Sequence, residues 1–192
     1  MHPFRAFINR FIPLTDADWQ HIEPCLIRRV VKRDELILEE GNVCRHLYFL
    51  EQGLLRFFIW KDGNDINKFF VDIPYTFTSQ RSFTAQEPAR ESIEALEESI
   101  VWQMTHRDAY ALLTIDVWGT FVRSLIQEVQ AMTEEILEEL QTTTAEDRYR
   151  LLLDANASIV QRVPLRHLAT YLGIAPQSLS RIRKKLATTR RI

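Results

Sequence analysis

One stretch near the C-terminal end, residues 163–186, constrains the fold of this 192-residue chain more than any other. Leu165, Leu168, Ala169 and Leu172 fall on one face of a helix, with small Ala169 where a second helix can cross closely. Gly173 follows, able to take the left-handed conformation that ends a helix. Ile174 is placed to plug the turn, and Pro176 suits the first position of the next helix. There Leu179, Ile182 and Leu186 recur at steps of three and four and face inward, leaving Gln177, Ser178, Arg181, Lys184 and Lys185 outward. This spacing predicts a helix-turn-helix, whose second helix enters the major groove of double-stranded DNA with its N-terminal side chains on base edges. Gln177 and Ser178 then meet bases, and Arg181, one turn on, reaches the paired acceptors of a guanine. Arg183, Lys184, Lys185, Arg190 and Arg191 suit phosphates. The bland alternative is a helical hairpin with a solvated face.

Charge supports the sharper expectation. The formal net charge of −2 hides an asymmetry: beyond Asp154 lie eight cations and no carboxylate, so the other sixteen of the 24 cations stand against all 26 acids. A tail of +8 on a body of −10 points to a polyanion partner for the tail alone.

Upstream, Phe4, Phe7, Ile8 and Phe11 recur at helical spacing until Pro13, and Thr15 with Asp18 three residues on predicts a second helix start. From Arg28 to about Thr105 the chain is dense in Val, Ile, Phe, Tyr and Trp and broken by Gly41, Gly53, Gly63 and Pro74, the pattern of short strands joined by turns. Lys61-Asp62-Gly63-Asn64 is its clearest hairpin signal. After Thr114 a helix of some 27 residues carries Trp118, Val122, Leu125, Val129, Met132 and Ile136 at heptad spacing, which predicts a dimer seam; packing on its own domain is the alternative. Thr144 with Asp147 predicts a further helix from about Ala145 to Ala157. The expected architecture is α+β, divided into a β-rich sensor at 1–113 with N-terminal helices, a dimerisation helix at 114–142 and a helix-turn-helix domain at 143–192.

Other function classes find little purchase. Cys25 and Cys44 lack CxxC spacing and are expected to be buried packers, with a redox role the minor alternative. The five histidines are scattered, and neither a nucleophile elbow nor a glycine-rich phosphate loop occurs, so no metal site and no enzyme is expected; His46 and His106 are expected as satisfied structural groups. The apolar runs are too short to span a bilayer and no signal peptide opens the chain, which predicts a cytoplasmic protein without a membrane partner.

Residues 36–41 (Leu-Ile-Leu-Glu-Glu-Gly), 47–53 (Leu-Tyr-Phe-Leu-Glu-Gln-Gly), 93–97 (Ile-Glu-Ala-Leu-Glu) and 177–182 (Gln-Ser-Leu-Ser-Arg-Ile) resemble the Crp/Fnr family of bacterial transcription regulators over about residues 20–187. The resemblance implies a double-stranded β-helix (a jelly-roll-like β-roll), a long dimerisation helix, and a homodimer in which an effector bound in the roll repositions two recognition helices on a palindromic site. RNA polymerase is a further partner it allows. Members that bind a cyclic nucleotide carry a Phe-Gly-Glu segment and an Arg-Ser or Arg-Ala pair. Here the comparable residues are Phe77-Thr78-Ser79-Gln80-Arg81, with Arg90 and Ser92 further on, so the glycine and glutamate are missing. Ser79, Gln80, Arg81, Arg90 and Ser92 are thus the candidate ligand residues of a degenerate cyclic-nucleotide pocket, and the effector is left open. The family also adds a β-hairpin wing after its recognition helix; ending at Ile192, the chain is expected to read DNA without one, Arg190 and Arg191 partly replacing its phosphate contacts. The rival within the same fold is a ligand-sensing protein-interaction module that has lost DNA binding.

Overall fold

A computed structural model describes residues 1–189. Two short helices open the chain, α1 (Pro3–Ile8) and α2 (Asp16–Ile22). Thr15 and Asp18 form the capping box expected of them, each side chain taking the other's backbone amide at 3.0–3.1 Å.

The β-rich stretch forms β1 (Ile27–Val31), β2 (Leu36–Leu38), β3 (His46–Gln52), β4 (Leu55–Lys61), β5 (Asn64–Val71), β6 (Tyr75–Phe77), β7 (Ser92–Ala95) and β8 (Ser99–Thr105), with helix α3 (Gln80–Ala85) between β6 and β7. They make two four-stranded antiparallel sheets, ordered β1-β8-β3-β6 and β2-β7-β4-β5. Because β1 to β4 and again β5 to β8 alternate between the sheets, with the β4–β5 hairpin within one sheet, the chain rolls up around their facing sides. The anticipated hairpin joins β4 to β5 through Asp62-Gly63, with Lys61 opposite Asn64. Between β3 and β4 only glycine fits: a Cβ on Gly53 would lie 2.1 Å from Ser99 Oγ, which accepts the Leu54 amide.

After α4 (His106–Ala111) comes α5 (Asp116–Thr142), the 27-residue helix the periodicity predicted. Its two halves face different surroundings, which corrects the heptad assignment at its start. Trp118 is only 1% exposed; it packs with Phe121 against Phe4, and its indole donates to the Ala109 carbonyl at 3.0 Å. Val122 and Leu125 pack half-buried on the same core. Only further on does the stripe open to solvent, at Val129, Met132 and Ile136, joined by Ile126, Leu137 and Leu140. A seam beginning at Trp118 therefore runs into the roll's own aromatic core, where Phe4, Phe7, Phe49, Trp118 and Phe121 interlock.

Thr143 ends α5, and Thr144 caps α6 (Ala145–Ala155) by accepting the Asp147 amide at 3.2 Å. The helix expected to run to Ala157 stops two residues earlier because Asn156 caps a new one, α7 (Ala157–Arg162), taking the Ile159 amide at 3.2 Å. Then come α8 (Leu165–Tyr171) and α9 (Pro176–Thr189). A second apolar cluster unites these helices, and it includes Leu54 and Leu96 from the roll. Cys44 is buried as expected, whereas Cys25 is half-buried; both thiols are free. His106 stacks on Tyr110 at 4.2 Å, but its Nε2 is buried without a hydrogen-bond partner, contrary to the satisfied group expected. Among the described residues no single helix is long and apolar enough to cross a membrane.

Candidate functional site

The turn between α8 and α9 follows from the residues at its corners. Gly173, at φ +72°, donates to the Thr170 carbonyl and Ile174 to the Ala169 carbonyl, the paired bonds of a Schellman ending. Arg148 from α6 donates to the Leu172 carbonyl at 2.9 Å, using a further free acceptor of α8. Ala169 and Leu179 are both fully buried, in the cluster that joins the two helices.

On α9, Gln177, Ser180, Arg181, Lys184 and Lys185 are exposed and Ser178 is half-buried. Lys185 is held at 2.9 Å from the Glu146 carboxylate, whose pKa this contact lowers. Arg183 is not on the outer face. Its guanidinium donates to the Val160 carbonyl at 3.1 Å and lies 5.7 Å from the Tyr149 ring, so it braces α9 against its own domain. Arg190 and Arg191 lie outside the described residues.

The helical head docks on the outside of the roll through α8, which lies along β5. His167, 1% exposed, places Nδ1 2.9 Å from Arg56 Nη1 and 3.4 Å from Asp65 Oδ2. Arg56 can only donate, so Nδ1 accepts and the imidazole is neutral. Burial above all, and then the Arg56 guanidinium, lowers its pKa to about 4. Arg56 is itself buried, bonded to Asp65 and Glu94 and stacked 4.0 Å from the Phe58 ring centroid. Asn67 donates to the Thr170 hydroxyl at 2.7 Å. At the other edge Arg162 reaches Glu97 at 2.5 Å, Asp72 at 3.5 Å and the Gly53 carbonyl at 3.0 Å. This polar seam was missing from the sequence expectations, because its partners lie 65 to 111 residues apart.

Among the described residues, no hydrogen bond or ion pair joins any two of the five candidate ligand residues. Ser79 is buried, with its carbonyl accepting the Phe83 amide. Ser92, also buried, accepts the Glu40 amide at 2.9 Å. Gln80 bonds Thr84, Arg81 sits 3.7 Å from Glu87, and both are exposed, as is Arg90. None of the five lines the cleft of about 590 Å³ that opens between β2 and the β1-β8-β3 side of the roll. That cleft is edged by Arg29, Arg45, His46, Tyr48 and Gln103, none of which the sequence marked as a ligand residue. The alternation of His46 and Tyr48 on one strand face was the available signal. Among the described residues, no group of three or more histidine, cysteine or acidic side chains is arranged to hold a metal.

Residues 28–116 match the cyclic nucleotide-binding domain family. No curated protein matches the chain significantly by sequence. Among solved structures, FixK2 from Bradyrhizobium japonicum is similar at a TM-score of 0.70 and 20% identity, covering 85% of each chain. A regulator assigned to the crp/fnr family from Eubacterium rectale gives 0.70 and 16%, covering 92% of this chain and 85% of that one. The catabolite activator protein of Thermus thermophilus gives 0.58 and 18%, covering 93% and 86%. The antiparallel roll with its attached helices thus has the fold of Crp/Fnr structures.

Proposed function

We propose that the chain is a Crp/Fnr-type transcription regulator that binds double-stranded DNA as a homodimer, with α8 and α9 as its helix-turn-helix. One observation carries this reading: Gln177, Arg181 and Lys184 stand exposed along one outward side of α9 while Leu179 anchors the opposite side. In this reading Gln177, Ser178 and Arg181 meet base edges, Lys184 and Lys185 meet phosphates, and Arg183 serves the scaffold. The sensor, dimerisation helix and DNA-binding domain divide at 113 and 142. The exposed half of the α5 stripe, at Val129, Met132 and Ile136, is the part that pairs with a second protomer. The setting is cytoplasmic, the output is regulatory and not enzymatic, and a small effector in the roll biases the head.

Selection of bound duplexes from a random pool tests this. Raising salt from about 50 to 200 mM is expected to weaken binding by orders of magnitude. Arg181→Ala relaxes preference at one position of each half-site, and Lys184→Ala weakens all sequences about equally. Uptake that ignores salt overturns the proposal and leaves a protein-interaction module.

A further inference from the structure

We propose that the open mouth of the roll, where Arg29, Arg45, His46, Tyr48 and Gln103 face β2 across a cleft of about 590 Å³, binds a small organic anion with an apolar tail.

The strand register places Arg29, His46, Tyr48 and Gln103 on the inner side of the roll, and exposed Arg45 lines its rim. Arg29 pairs with Val101 and Tyr48 with Gln103, and paired residues share a face of the sheet. Val101 is fully buried, and so is Leu50, two residues along β3 from Tyr48. The inner face that fills the core at one end therefore turns into guanidinium, imidazole, phenol and amide at the other. Inward-facing polar groups are costly unless something pairs them. Glu35 takes one side of Arg29 at 2.6 Å. Among the described residues Arg45 has no carboxylate partner, and neither the His46 ring nor the Tyr48 hydroxyl has a hydrogen bond. Burial, followed by the Arg29 and Arg45 charges, lowers the His46 pKa, so the ring is a neutral donor beside two fixed cations.

The facing wall is different in kind. Leu36, Ile37, Leu38 and Val43 make it apolar, and Glu39 stands near Asn42, whose amide donates to it at 3.4 Å. A ligand that suits both walls carries a carboxylate or phosphate head for the arginines and a short hydrocarbon body for β2. The volume lies within the usual span of small-molecule sites, about 300–1,000 Å³. This site shares no lining residue with Ser79, Gln80, Arg81, Arg90 or Ser92, and it does not depend on whether α9 binds DNA.

The test titrates the full chain with hexanoate and with hexyl phosphate, following arginine and histidine side-chain resonances, with hexanol as the neutral control. At least one anion is expected to shift Arg29, Arg45 and His46 saturably in the millimolar range, and the tighter of the two identifies the head group. Arg45→Ala, at an exposed position, should weaken that binding at least about tenfold, as loss of a charge-assisted contact does. Arg81→Ala should leave it unchanged. The proposal is overturned if neither anion saturates, if hexanol binds equally well, if the shifts fall on Arg81 and Arg90 instead, or if Arg45→Ala binds normally. Duplex binding by Arg45→Ala without added ligand is measured alongside, so that failure of this site is told apart from failure of the DNA-binding reading.

Discussion

The root of α5 and the seat of α8 are both buried against the roll, yet they are built from opposite materials. At the root, Phe4, Phe7, Phe49, Trp118 and Phe121 interlock as rings with ring centroids between 5.0 and 6.4 Å apart. At the seat, Arg56, Asp65, Asn67, His167 and Thr170 meet through charged and neutral hydrogen bonds. Apolar packing is non-directional and indifferent to pH. A buried polar seam adds little net stability but penalises every wrong orientation, and it responds to protonation. The contrast sets a firm, pH-indifferent hold on α5 beside a pH-responsive hold on α8.

The comparison can be broken or sharpened in descending order of effect. Phe121→Ala removes a fully buried ring and should cost about 3–5 kcal/mol in urea unfolding, the roll and α5 melting together. Arg56→Leu leaves Asp65 and Glu94 without their guanidinium and should cost about 3 kcal/mol. Its signature is hydrogen exchange that rises in α8 more than in β3; an equal rise in both would make the seat part of one rigid core.

His167 supplies the pH arm. Its pKa falls from the ordinary 6.5 to about 4 in the docked state, so a freed or unfolded chain takes up a proton that the docked head refuses. Stability is therefore complete above about 6.5 and declines as pH falls towards about 4, by about 3 kcal/mol. His167→Gln, which keeps an acceptor for Arg56, should flatten that part of the profile of Tm against pH; an unchanged slope would assign it to other groups. Smallest is Thr144→Ala, which removes the α6 cap and should cost about 1 kcal/mol without moving the roll's transition.

Local chemistry was legible in the sequence: the Thr15 and Thr144 caps, the Asp62-Gly63 hairpin, the length of α5 and the Gly173 turn each follow from a few neighbouring residues. What a face packs against was not. Periodicity marked Trp118 as apolar and left its partner open, and the partner was Phe4, 114 residues earlier in the chain. Arg183 was within reach of the same arithmetic, since it stands four residues after Leu179 and three before Leu186, on the inner side of α9. Arginine's basicity suggested phosphate, while its position pointed to scaffold. The cleft stayed hidden because Arg29 and Tyr48 meet only through β8, which pairs with both of their strands.

The divided helix α5 has a mechanical consequence. Its near end is clamped among aromatic rings while its far end stands clear of the roll and leads, through Thr143, into the head. At 1.5 Å per residue, Leu140 lies about 28 Å beyond Phe121, so tilting the rod by about 5° at its clamp swings the tip by about 2.5 Å. Small repacking around Trp118 is thereby geared up into a displacement half as large as one helical pitch.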